Sequence, residues 1–536
     1  MKVVSFEDAV RLIEDRDTLL IGGSGGGHAV PEALILALRD RFLKTGSPKN
    51  ITLLHPVGLG DNDTQGVSQL AYPKLLKRIV TGAFVNTPAI QEMARENTIE
   101  AYTFPQGALS QLMREMAAGR PGLLSQVGLH TFVDPRYGGG RQSVTAQEDL
   151  VEIVKLSGKE WLFYKPYKVD IAFLRGTTAD EDGNVTMEKE AVFCEMLSMA
   201  QATHNAGGVV IVQVERLAQR GTLPAKQVKI PGMLVDLVVI DPDQRQTYMT
   251  AYSPSYAGKL RVPLDNIPAL PFDVRKVIAR RAVMELFPGA ICNLGAGVST
   301  GIANIATEEG FLDKIILTNE QGLIGGAPAS GVDAGAAMNY TALIDQPYQF
   351  DFYDGGGLDL AFLSFAQVDA RGSVNVSRFG KRVIGVGGFQ NIAQNAKQVI
   401  FSGTFTTGGL DIYWENGKTI IRKEGRFKKF ISELEQVSYN GAYAAQKGQK
   451  ALYVTERAVF ERTIRGLTLI EIAPGADLQK DILDQMEFKP TISPNLKEMD
   501  ARLFDPMPMD YVKDLLNKPR LNIPKRLHKL NMDKDL

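Results

Sequence analysis

VDIAFLRGTTADEDGNVTM, residues 169–187, aligns without a gap with LDLAFLSFAQVDARGSVNV, residues 358–376. An early aspartate, the Ala-Phe-Leu run, a later aspartate, a glycine and a valine coincide in the two segments. Each segment begins with apolar residues typical of a buried strand and continues into a polar stretch rich in turn-forming residues. The likeness predicts that the chain contains two copies of one fold.

A second pair of segments supports this duplication. LLIGGSGG at residues 19–26 and CNLGAGVS at residues 292–299 each join a strand-like run to a helix-like run through glycines. Strand-like and helix-like runs alternate throughout the chain, which predicts an α/β fold with largely parallel sheets. We expect two open α/β/α domains related by internal duplication. Because the two pairs have different offsets, the first copy should carry an insertion within residues 73–160.

The boundary between the copies is indicated by proline. The chain has 536 residues, too many for one hydrophobic core. Its weakest α/β pattern is YSPSYAGKLRVPLDNIPALPFD, residues 252–273, which contains four prolines and reads as a linker. The predicted domains are therefore residues 1–260 and residues 261–536.

Composition excludes several classes of protein. Lys plus Arg number 60 against 61 Asp plus Glu, so no overall field attracts nucleic acid, although a local basic patch is compatible with this balance. The two cysteines, Cys194 and Cys292, form no CxxC motif and supply neither a disulfide framework nor a metal site. This favours a reducing, cytoplasmic compartment. No apolar run reaches the roughly 20 residues of a membrane helix, and Ser5 and Asp8 have the spacing of a helix cap rather than a signal peptide.

A lone carboxylate stands after a strand-like run in the second copy. TNEQGLIGG at residues 318–326 follows IIL and contains Glu320. The corresponding segment of the first copy, ITLLHPVGLG from Ile51, has the neighbourhood of Pro56 at that position. In open α/β sheets the ligand crevice lies beyond the carboxyl ends of the strands. An acid kept in one copy alone is therefore interpreted as a nucleophile, with backbone N–H groups of nearby glycines stabilising an oxyanion.

Other interpretations of Glu320 stay open at this level. A salt bridge or a helix cap is the usual role of a glutamate. A glycosidase would need a second carboxylate at a defined separation. The available partners for such a pair are Asp351, Asp354 and Asp359.

Two glycine motifs suggest competing chemistry. Residues 22–26 read Gly-Gly-Ser-Gly-Gly and match the G-x-S-x-G elbow of a serine hydrolase, with Ser24 as nucleophile. Only one helix and one strand precede Ser24, which argues against an assembled hydrolase sheet. Gly295, Ala296 and Gly297 resemble a nucleotide-binding turn, but no ribose-binding acid follows at about 20 residues, which argues against an NAD-dependent oxidoreductase.

Two more glycine clusters lie downstream of Glu320. Gly355–Gly357 precede a strand-like run, and Gly385, Gly387 and Gly388 precede Phe389. Either cluster alone is typical of a hairpin turn. Their occurrence in the same half as Glu320 favours convergence on one site.

Taken together, these motifs resemble the class I coenzyme A transferases, in the fused form that carries both subunit-like halves, and most closely the propionate and acetate CoA-transferase branch. The similar segments include TNEQGLIGG, LLIGGSGGGHAVPEAL, NLGAG, PQGALSQLMRE, FDFYDGGGLDLAFL and VGGFQNI, so the likeness covers nearly the whole chain. Two departures concern the acyl group. Ser24 stands where the family usually has an aromatic residue, and Gln321 stands where small residues are common.

The resemblance implies an activity and a set of site residues. It implies ping-pong transfer of CoA between a short-chain acyl-CoA and a free carboxylic acid through a glutamyl-CoA thioester on Glu320. CoA is then substrate and covalent intermediate, and no permanently bound cofactor or metal is expected. The further residues that it assigns are Gly387 and Gly388 at an oxyanion-stabilising turn, Gly295, Ala296 and Gly297 along the CoA arm, and Gln106 on the acyl side.

Some points stay open. Gln106 fits a buried structural role equally well. The preferred acid, whether acetate, propionate, butyrate, lactate or a 3-keto acid, is not determined by the motifs. The family is usually dimeric or tetrameric, and neither a nucleic-acid nor a membrane partner is expected. A non-catalytic CoA or nucleotide sensor is the alternative from another class of protein.

Overall fold

The computed structural model describes residues 2–263, 267 and 269–522. Residues 264–266 and 268 of the predicted linker lie outside the described residues. The predicted boundary between residues 260 and 261 stays a prediction. Within the described ranges, no helix combines the length and the apolar character needed to span a bilayer.

The strands of the amino-terminal half are β1 (Lys2–Val3), β2 (Thr18–Ile21), β3 (Ile51–His55), β4 (Leu76–Thr81), β5 (Glu100–Thr103), β6 (Leu123–Ser125), β7 (Val151–Leu156), β8 (Lys159–Tyr164), β9 (Ile171–Arg175), β10 (Thr178–Asp180), β11 (Val185–Thr186), β12 (Val209–Val214), β13 (Arg216–Ala218), β14 (Val228–Ile230) and β15 (Leu237–Ile240).

The strands of the carboxyl-terminal half are β16 (Ile291–Leu294), β17 (Ile316–Thr318), β18 (Leu323–Ile324), β19 (Ala327–Pro328), β20 (Ala337–Met338), β21 (Ala342–Leu343), β22 (Leu360–Ser364), β23 (Gln367–Val368), β24 (Val374–Asn375), β25 (Arg378–Phe379), β26 (Arg382–Val383), β27 (Gln398–Ser402), β28 (Thr406–Thr407), β29 (Asp411–Glu415), β30 (Lys418–Lys423), β31 (Phe427–Lys428), β32 (Lys450–Val454), β33 (Ala458–Thr463), β34 (Gly466–Ile472) and β35 (Thr491–Glu498).

The α-helices are α1 (Phe6–Val10), α2 (Glu32–Thr45), α3 (Pro88–Arg95), α4 (Gln106–Ala117), α5 (Met196–Asn205), α6 (Val274–Val283), α7 (Gly301–Glu308), α8 (Gln346–Asp354), α9 (Phe389–Asn395), α10 (Gly441–Gln446) and α11 (Val512–Leu516). Short 3₁₀ turns occupy Gly25–Gly27, Gly66–Leu70, Pro135–Tyr137, Ala225–Gln227, Gly232–Leu234, Val298–Thr300, Leu312–Lys314, Gly331–Asp333, Leu483–Gln485 and Ala501–Phe504, and a π turn occupies Leu478–Ile482. The predicted amino-terminal cap is confirmed, since the Asp8 N–H donates to Ser5 Oγ (3.1 Å).

Within the described residues, one sheet of the first half has the strand order β1-β15-β12-β9-β2-β3-β4-β5, and every pairing in it is parallel. Its central strand β9 is buried along its whole length. Parallel strands covered on both faces need continuous apolar sequence, which explains the Ile-Ala-Phe-Leu run.

The main sheet of the second half repeats this arrangement. Its order is β21-β18-β17-β16-β22-β27-β32-β33-β34-β35, and the five strands from β17 to β32 are parallel. The series β17-β16-β22-β27-β32 corresponds to β3-β2-β9-β12-β15 of the first half. The repeated segments, residues 169–187 and 358–376, supply β9 and β22 at the same place in the two sheets. The predicted duplication is therefore confirmed in the topology.

The predicted insertion in the first copy is also confirmed. Strands β4 to β8 and helices α3 and α4 lie between β3 and β9, whereas short strands, one 3₁₀ turn and α8 lie between β17 and β22. The two halves share one apolar cluster, which contains Leu174 and Phe104 of the first half and Phe350 and Phe389 of the second. This shared core holds the two sheets against each other.

Candidate active site

Glu320 lies in the turn between β17 and β18, at the carboxyl end of β17. The Asn319 N–H donates to the Leu323 carbonyl (3.1 Å), and Asn319 Oδ1 accepts from the Leu323 N–H (3.1 Å), which closes the turn. Gly322 has φ +104°, and a Cβ there would lie 1.9 Å from the Ile344 carbonyl oxygen. The sequence around Glu320 therefore requires asparagine and glycine to build a tight turn that presents the carboxylate.

The Glu320 side chain is half-buried. Desolvation by the surrounding protein raises the pKa of Glu320, and its own backbone N–H and the nearby amides of Asn293 and Gln321 partly oppose that rise. Gln321 Nε2 donates to Glu320 Oε1 at 3.4 Å. A carboxylate with a raised pKa is less stabilised in its ionised form and is correspondingly more basic.

A network beneath Glu320 joins β16, β17 and α8. Asn293 Nδ2 donates to the Thr318 carbonyl (3.3 Å) and to Tyr353 Oη (3.3 Å). Tyr353 Oη in turn donates to Thr318 Oγ1 (2.8 Å). Neither Asn293 nor Tyr353 is predicted as a site residue from the sequence. A polar residue inside the apolar strand β16 is a signal that could have identified Asn293, whereas Tyr353 carried no such signal.

The first half reaches this turn through the loop after β2. Gln321 Nε2 also donates to Ser24 Oγ (3.3 Å), so one amide bridges Glu320 and the loop. His28 Nε2 contacts the Ala334 carbonyl (3.1 Å), and a Cβ on Gly26 would lie 2.2 Å from the Val332 carbonyl oxygen. The carboxyl edges of the two sheets therefore face each other at Glu320.

Ser24 does not have the surroundings of a hydrolase nucleophile. Its backbone is extended (φ −139°, ψ 162°) rather than strained as in an elbow. The buried His28 ring contacts a carbonyl through Nε2, and burial lowers the pKa of His28 to about 4. Within the described residues, no histidine ring is hydrogen-bonded to Ser24 Oγ.

Gly295, Ala296 and Gly297 lie directly after β16, the strand beside β17. Ser364 Oγ, at the end of the next strand β22, donates to the Ala296 carbonyl (2.8 Å). Gly297 has φ +92°, and a Cβ there would lie 2.9 Å from Ser364 Oγ. The predicted CoA-arm residues therefore adjoin Glu320 along the carboxyl edge of the sheet.

Gly387 and Gly388 lie in the turn before α9, against the first half. The Gly387 N–H donates to the Gly82 carbonyl (2.6 Å), and the Gly387 carbonyl accepts from the Gln106 N–H (2.9 Å). The Gly387 N–H is thus already used in the structure. Gly388 stands at the amino end of α9 with helical φ and ψ, and a Cβ there would lie 3.6 Å from the Phe350 ring.

Comparisons with known proteins bear on this geometry. A model of the family described as coenzyme A transferase matches residues 3–241. The chain is 46% identical over 511 residues to the acetate CoA-transferase YdiF of Escherichia coli (strain K12), which covers 95% of this chain and 96% of the relative. The chain belongs to the coenzyme A transferase family.

Two further comparisons cover the same length of this transferase. The caffeate CoA-transferase of Acetobacterium woodii is 47% identical over 511 residues, 94% of this chain and 97% of the relative. A crystal structure of the acyl-CoA transferase YdiF from Escherichia coli O157:H7, a thioester complex with CoA, matches with a TM-score of 0.91 and 45% identity over 95% of this chain and 97% of that one. The resemblance read from the motifs is confirmed for the family and for the fold.

Gln106 of the transferase belongs to a buried hydrogen-bond chain. Its Nε2 donates to Gln346 Oε1 (3.2 Å), and Gln346 Nε2 donates to Glu195 Oε2 (2.6 Å). Ser110 Oγ also donates to Glu195 (2.9 Å), and burial raises the pKa of Glu195 to about 8. These contacts give Gln106 a structural role, and its contact with the acyl group stays a prediction.

Gly355–Gly357 do not join the site. They follow α8 and precede β22, and the Asp359 N–H donates to the carbonyl of Ile291, at the start of β16 (2.9 Å). The cluster therefore lies at the amino edge of the parallel sheet, opposite Glu320. The expectation that it converges with Glu320 is wrong, because glycines before a strand and an acid after a strand occupy opposite edges of a parallel sheet.

Proposed function

We propose that this enzyme transfers CoA between a short-chain acyl-CoA and a free carboxylic acid of the acetate, propionate or butyrate type, with Glu320 as the nucleophile. The observation that carries the proposal is the half-buried carboxylate of Glu320, held in a tight turn where the carboxyl edges of two parallel sheets meet. The acetate and caffeate CoA-transferases to which the chain is similar support the reaction class.

The reaction has two mirror-related halves. The Glu320 carboxylate attacks the thioester carbonyl of the donor, the C–S bond breaks, and CoA thiolate leaves a mixed acyl-glutamyl anhydride. The thiolate then attacks the glutamyl carbonyl, which releases the donor acid and leaves a glutamyl-CoA thioester. The acceptor acid runs these steps in reverse. Activated carbonyls on Glu320 require that water be kept out, and we assign that exclusion to the facing sheet edges once substrate is bound.

Neighbouring groups suit the charge that develops. Each tetrahedral intermediate places negative charge on a carbonyl oxygen, which N–H donors stabilise. We assign the Gly388 N–H, at the amino end of α9, as the donor, because the Gly387 N–H and both N–H bonds of the Asn293 amide already have partners. Gly295 to Gly297 leave space beside Glu320 for the arm of CoA.

Neither competing interpretation is favoured by an observation. A serine hydrolase would need a histidine base on Ser24, and the His28 ring is instead turned to the Ala334 carbonyl. A non-catalytic CoA sensor gives no reason for a carboxylate to be desolvated in a hydrogen-bonded turn. The hydrogen-bonded pair of Ser24 and Gln321 beside Glu320 supports a preference for a small acyl group. The Gln321 amide that bridges the two occupies space that a larger acyl chain would need.

The covalent intermediate provides the test. Incubation with acetyl-CoA and no acceptor should leave CoA attached to the peptide that contains Glu320, seen by intact-protein and peptide mass spectrometry. Hydroxylamine should inactivate enzyme treated with acetyl-CoA and convert Glu320 to a hydroxamate, while untreated enzyme keeps its activity. Glu320→Gln should abolish both the adduct and turnover with an unchanged melting temperature, whereas Glu461→Gln, at an exposed glutamate of β33, should behave as wild type. Label on Ser24, or turnover by Glu320→Gln, would contradict the proposal.

The same proposal includes the cellular compartment and the oligomeric state of the enzyme. The two cysteines are buried and unpaired, which supports a reducing, cytoplasmic compartment. We also propose a homo-oligomer, a dimer or tetramer, and no nucleic-acid partner. Light scattering of the purified enzyme checks the oligomeric state, cell fractionation checks the compartment, and the ratio of absorbance at 260 and 280 nm checks for bound nucleic acid.

A further inference from the structure

Lys429 is a buried cation that the proposed reaction does not use. Its side chain is 7% exposed, and its ammonium nitrogen lies 4.1 Å from the centroid of the Phe365 ring. Burial lowers the pKa of Lys429 to about 8, and the charge of Glu456 opposes that shift. Among the described residues, no carboxylate forms an ion pair with Lys429, since Glu456 is paired with Arg457 (2.7 Å). A buried cation without a counter-ion is costly unless an anion joins it.

The position of this ammonium group points to the ligand crevice. Phe365 directly follows β22, Gly403 directly follows β27, and both strands run parallel to β17. Lys429 Nζ therefore lies at the same carboxyl edge of the sheet as Glu320. A Cβ on Gly403 would lie 2.7 Å from Nζ, so glycine leaves the space that the amine occupies.

The separation along this edge matches the length of the CoA arm. Lys429 stands beside the end of β27, three strands from β17 in the order β17-β16-β22-β27, which corresponds to about 14 Å at the usual strand spacing. The pantetheine arm has about thirteen bonds between its sulfur and the first phosphorus, which span about 15 Å when extended in the manner of a peptide backbone. Gly295 to Gly297 and Ser364 lie between the two ends.

We propose that the Lys429 ammonium group binds the diphosphate of CoA and so fixes the arm whose sulfur reacts at Glu320. This inference rests on the proposed function, because it takes CoA as the ligand of the crevice. The diphosphate supplies the negative charge that the surrounding protein does not. Lysine suits this role as a compact charge that contacts phosphate without bidentate geometry. Lys429 is then a binding and positioning residue.

The test compares three acetyl donors that share the pantetheine arm and differ only in the phosphate and nucleotide groups attached to its far end. The kcat/KM values for acetyl-CoA, acetyl-dephospho-CoA and S-acetylpantetheine are measured with propionate as acceptor. Lys429→Met should lower the value for acetyl-CoA by about 10- to 100-fold, the effect of losing one hydrogen bond to a charged group, and acetyl-dephospho-CoA should lose as much. The value for S-acetylpantetheine, which has no diphosphate, should stay within about twofold of wild type for the same reason. Calorimetric Kd values for CoA and pantetheine should show the same contrast without turnover.

Matched variants separate the alternatives. Lys429→Arg keeps the charge and should lose less than Lys429→Met, and Lys428→Met, which removes an exposed neighbouring lysine, should match wild type. If Lys429→Met does not fold, Gly403→Ala displaces the amine and should show the same dependence on the diphosphate. Equal losses with all three donors, or no loss with acetyl-CoA, would overturn the inference. A loss that disappears with acetyl-dephospho-CoA would move the contact to the 3′-phosphate and overturn the diphosphate assignment. Wild-type enzyme without any CoA transfer would instead contradict the proposed function.

Discussion

At the scale of single residues, the site depends on the balance between desolvation and hydrogen bonding at Glu320. Desolvation raises the pKa of this carboxyl group above the ordinary 4.5, and the amides of Asn293 and Gln321 limit the rise. The same balance sets reactivity, because a carboxylate that is poorly stabilised attacks a thioester more readily than one in water. Burial raises the pKa of Tyr353, and the nearby charge of Glu320 adds to that rise.

This balance predicts a pH dependence. The nucleophile must be ionised, so formation of the glutamyl-CoA adduct should be lost as the pH falls through the pKa of Glu320, and the midpoint should lie above pH 4.5. Gln321→Ala removes a hydrogen bond to the ionised form and should move the midpoint to higher pH. Quenched-flow measurement of adduct formation from pH 4 upward tests both statements. A midpoint that stays in place or moves to lower pH in Gln321→Ala would show that Gln321 does not stabilise the carboxylate.

At the scale of elements, the β17–β18 turn holds the carboxylate in place. Gly322 is its most restricted residue, because its φ is +104° and a Cβ would collide with the Ile344 carbonyl oxygen. The Ile344 N–H donates to the Gly322 carbonyl (3.0 Å), which holds Ile344 in that position. Asn319 Nδ2 donates to the Gly335 carbonyl (2.8 Å), which connects the same turn to the loop between β19 and β20. Hydrogen bonds at Asn319 and the backbone restriction at Gly322 therefore both fix the shape of the turn.

Gly322→Ala should distort this turn and misplace Glu320. Displacement of a reacting group by about 1 Å costs about 100-fold in rate, so adduct formation should fall by about that factor, with a lower melting temperature. Gly310→Ala is the control. Gly310 has a comparable positive φ (+72°) but open space around its Cβ position, so it should cost about 1 kcal/mol of stability and leave the rate unchanged. Equal rates in the two variants would show that the turn does not position Glu320.

At the scale of the whole molecule, the site exists only where the two halves meet. Asp333 is buried in the second half and accepts hydrogen bonds from Thr250 Oγ1 (2.7 Å) and Thr247 Oγ1 (2.5 Å), which follow the last strand of the first sheet. The adjoining Ala334 carbonyl contacts His28. Asp333 therefore fastens the loop that faces the glycine turn of the first sheet.

Asp333→Ala should loosen this junction. Loss of hydrogen bonds to a buried charged group should cost about 1.5–3 kcal/mol of stability. Because the loop borders the site, kcat should fall as well, and admission of water should raise hydrolysis of acyl-CoA relative to transfer. Asp313→Ala, at an exposed aspartate paired with Lys314, is the control and should change neither quantity. Calorimetry and the ratio of hydrolysis to transfer provide the measurements, and a normal ratio in Asp333→Ala would argue against a water-excluding role for the junction.

The sequence by itself determined the duplicated α/β fold, the insertion in the first copy and Glu320 as the candidate nucleophile. Apolar runs of strand length, glycine turns and a repeated segment can each be recognised from neighbouring residues alone. They are visible in the sequence because the corresponding strands of both copies are buried in the same way and therefore need the same apolar residues. They located β9, β22 and the turn at residues 318–326 without reference to any contact between distant parts of the chain.

Only the tertiary structure decided which residues surround that nucleophile. Ser24, almost 300 residues from Glu320, lies near it because β2 and β17 end at facing sheet edges, whereas Gly355–Gly357, only about 35 residues from Glu320, lie at the opposite edge. The burial of Lys429 could not be predicted from the sequence either, since a lysine in a basic run is normally a solvated surface residue. Its burial follows only from the packing around it in the folded protein. Which side chains share an edge, and which charges lose their solvent, depend on strand order and on the contact between the two halves.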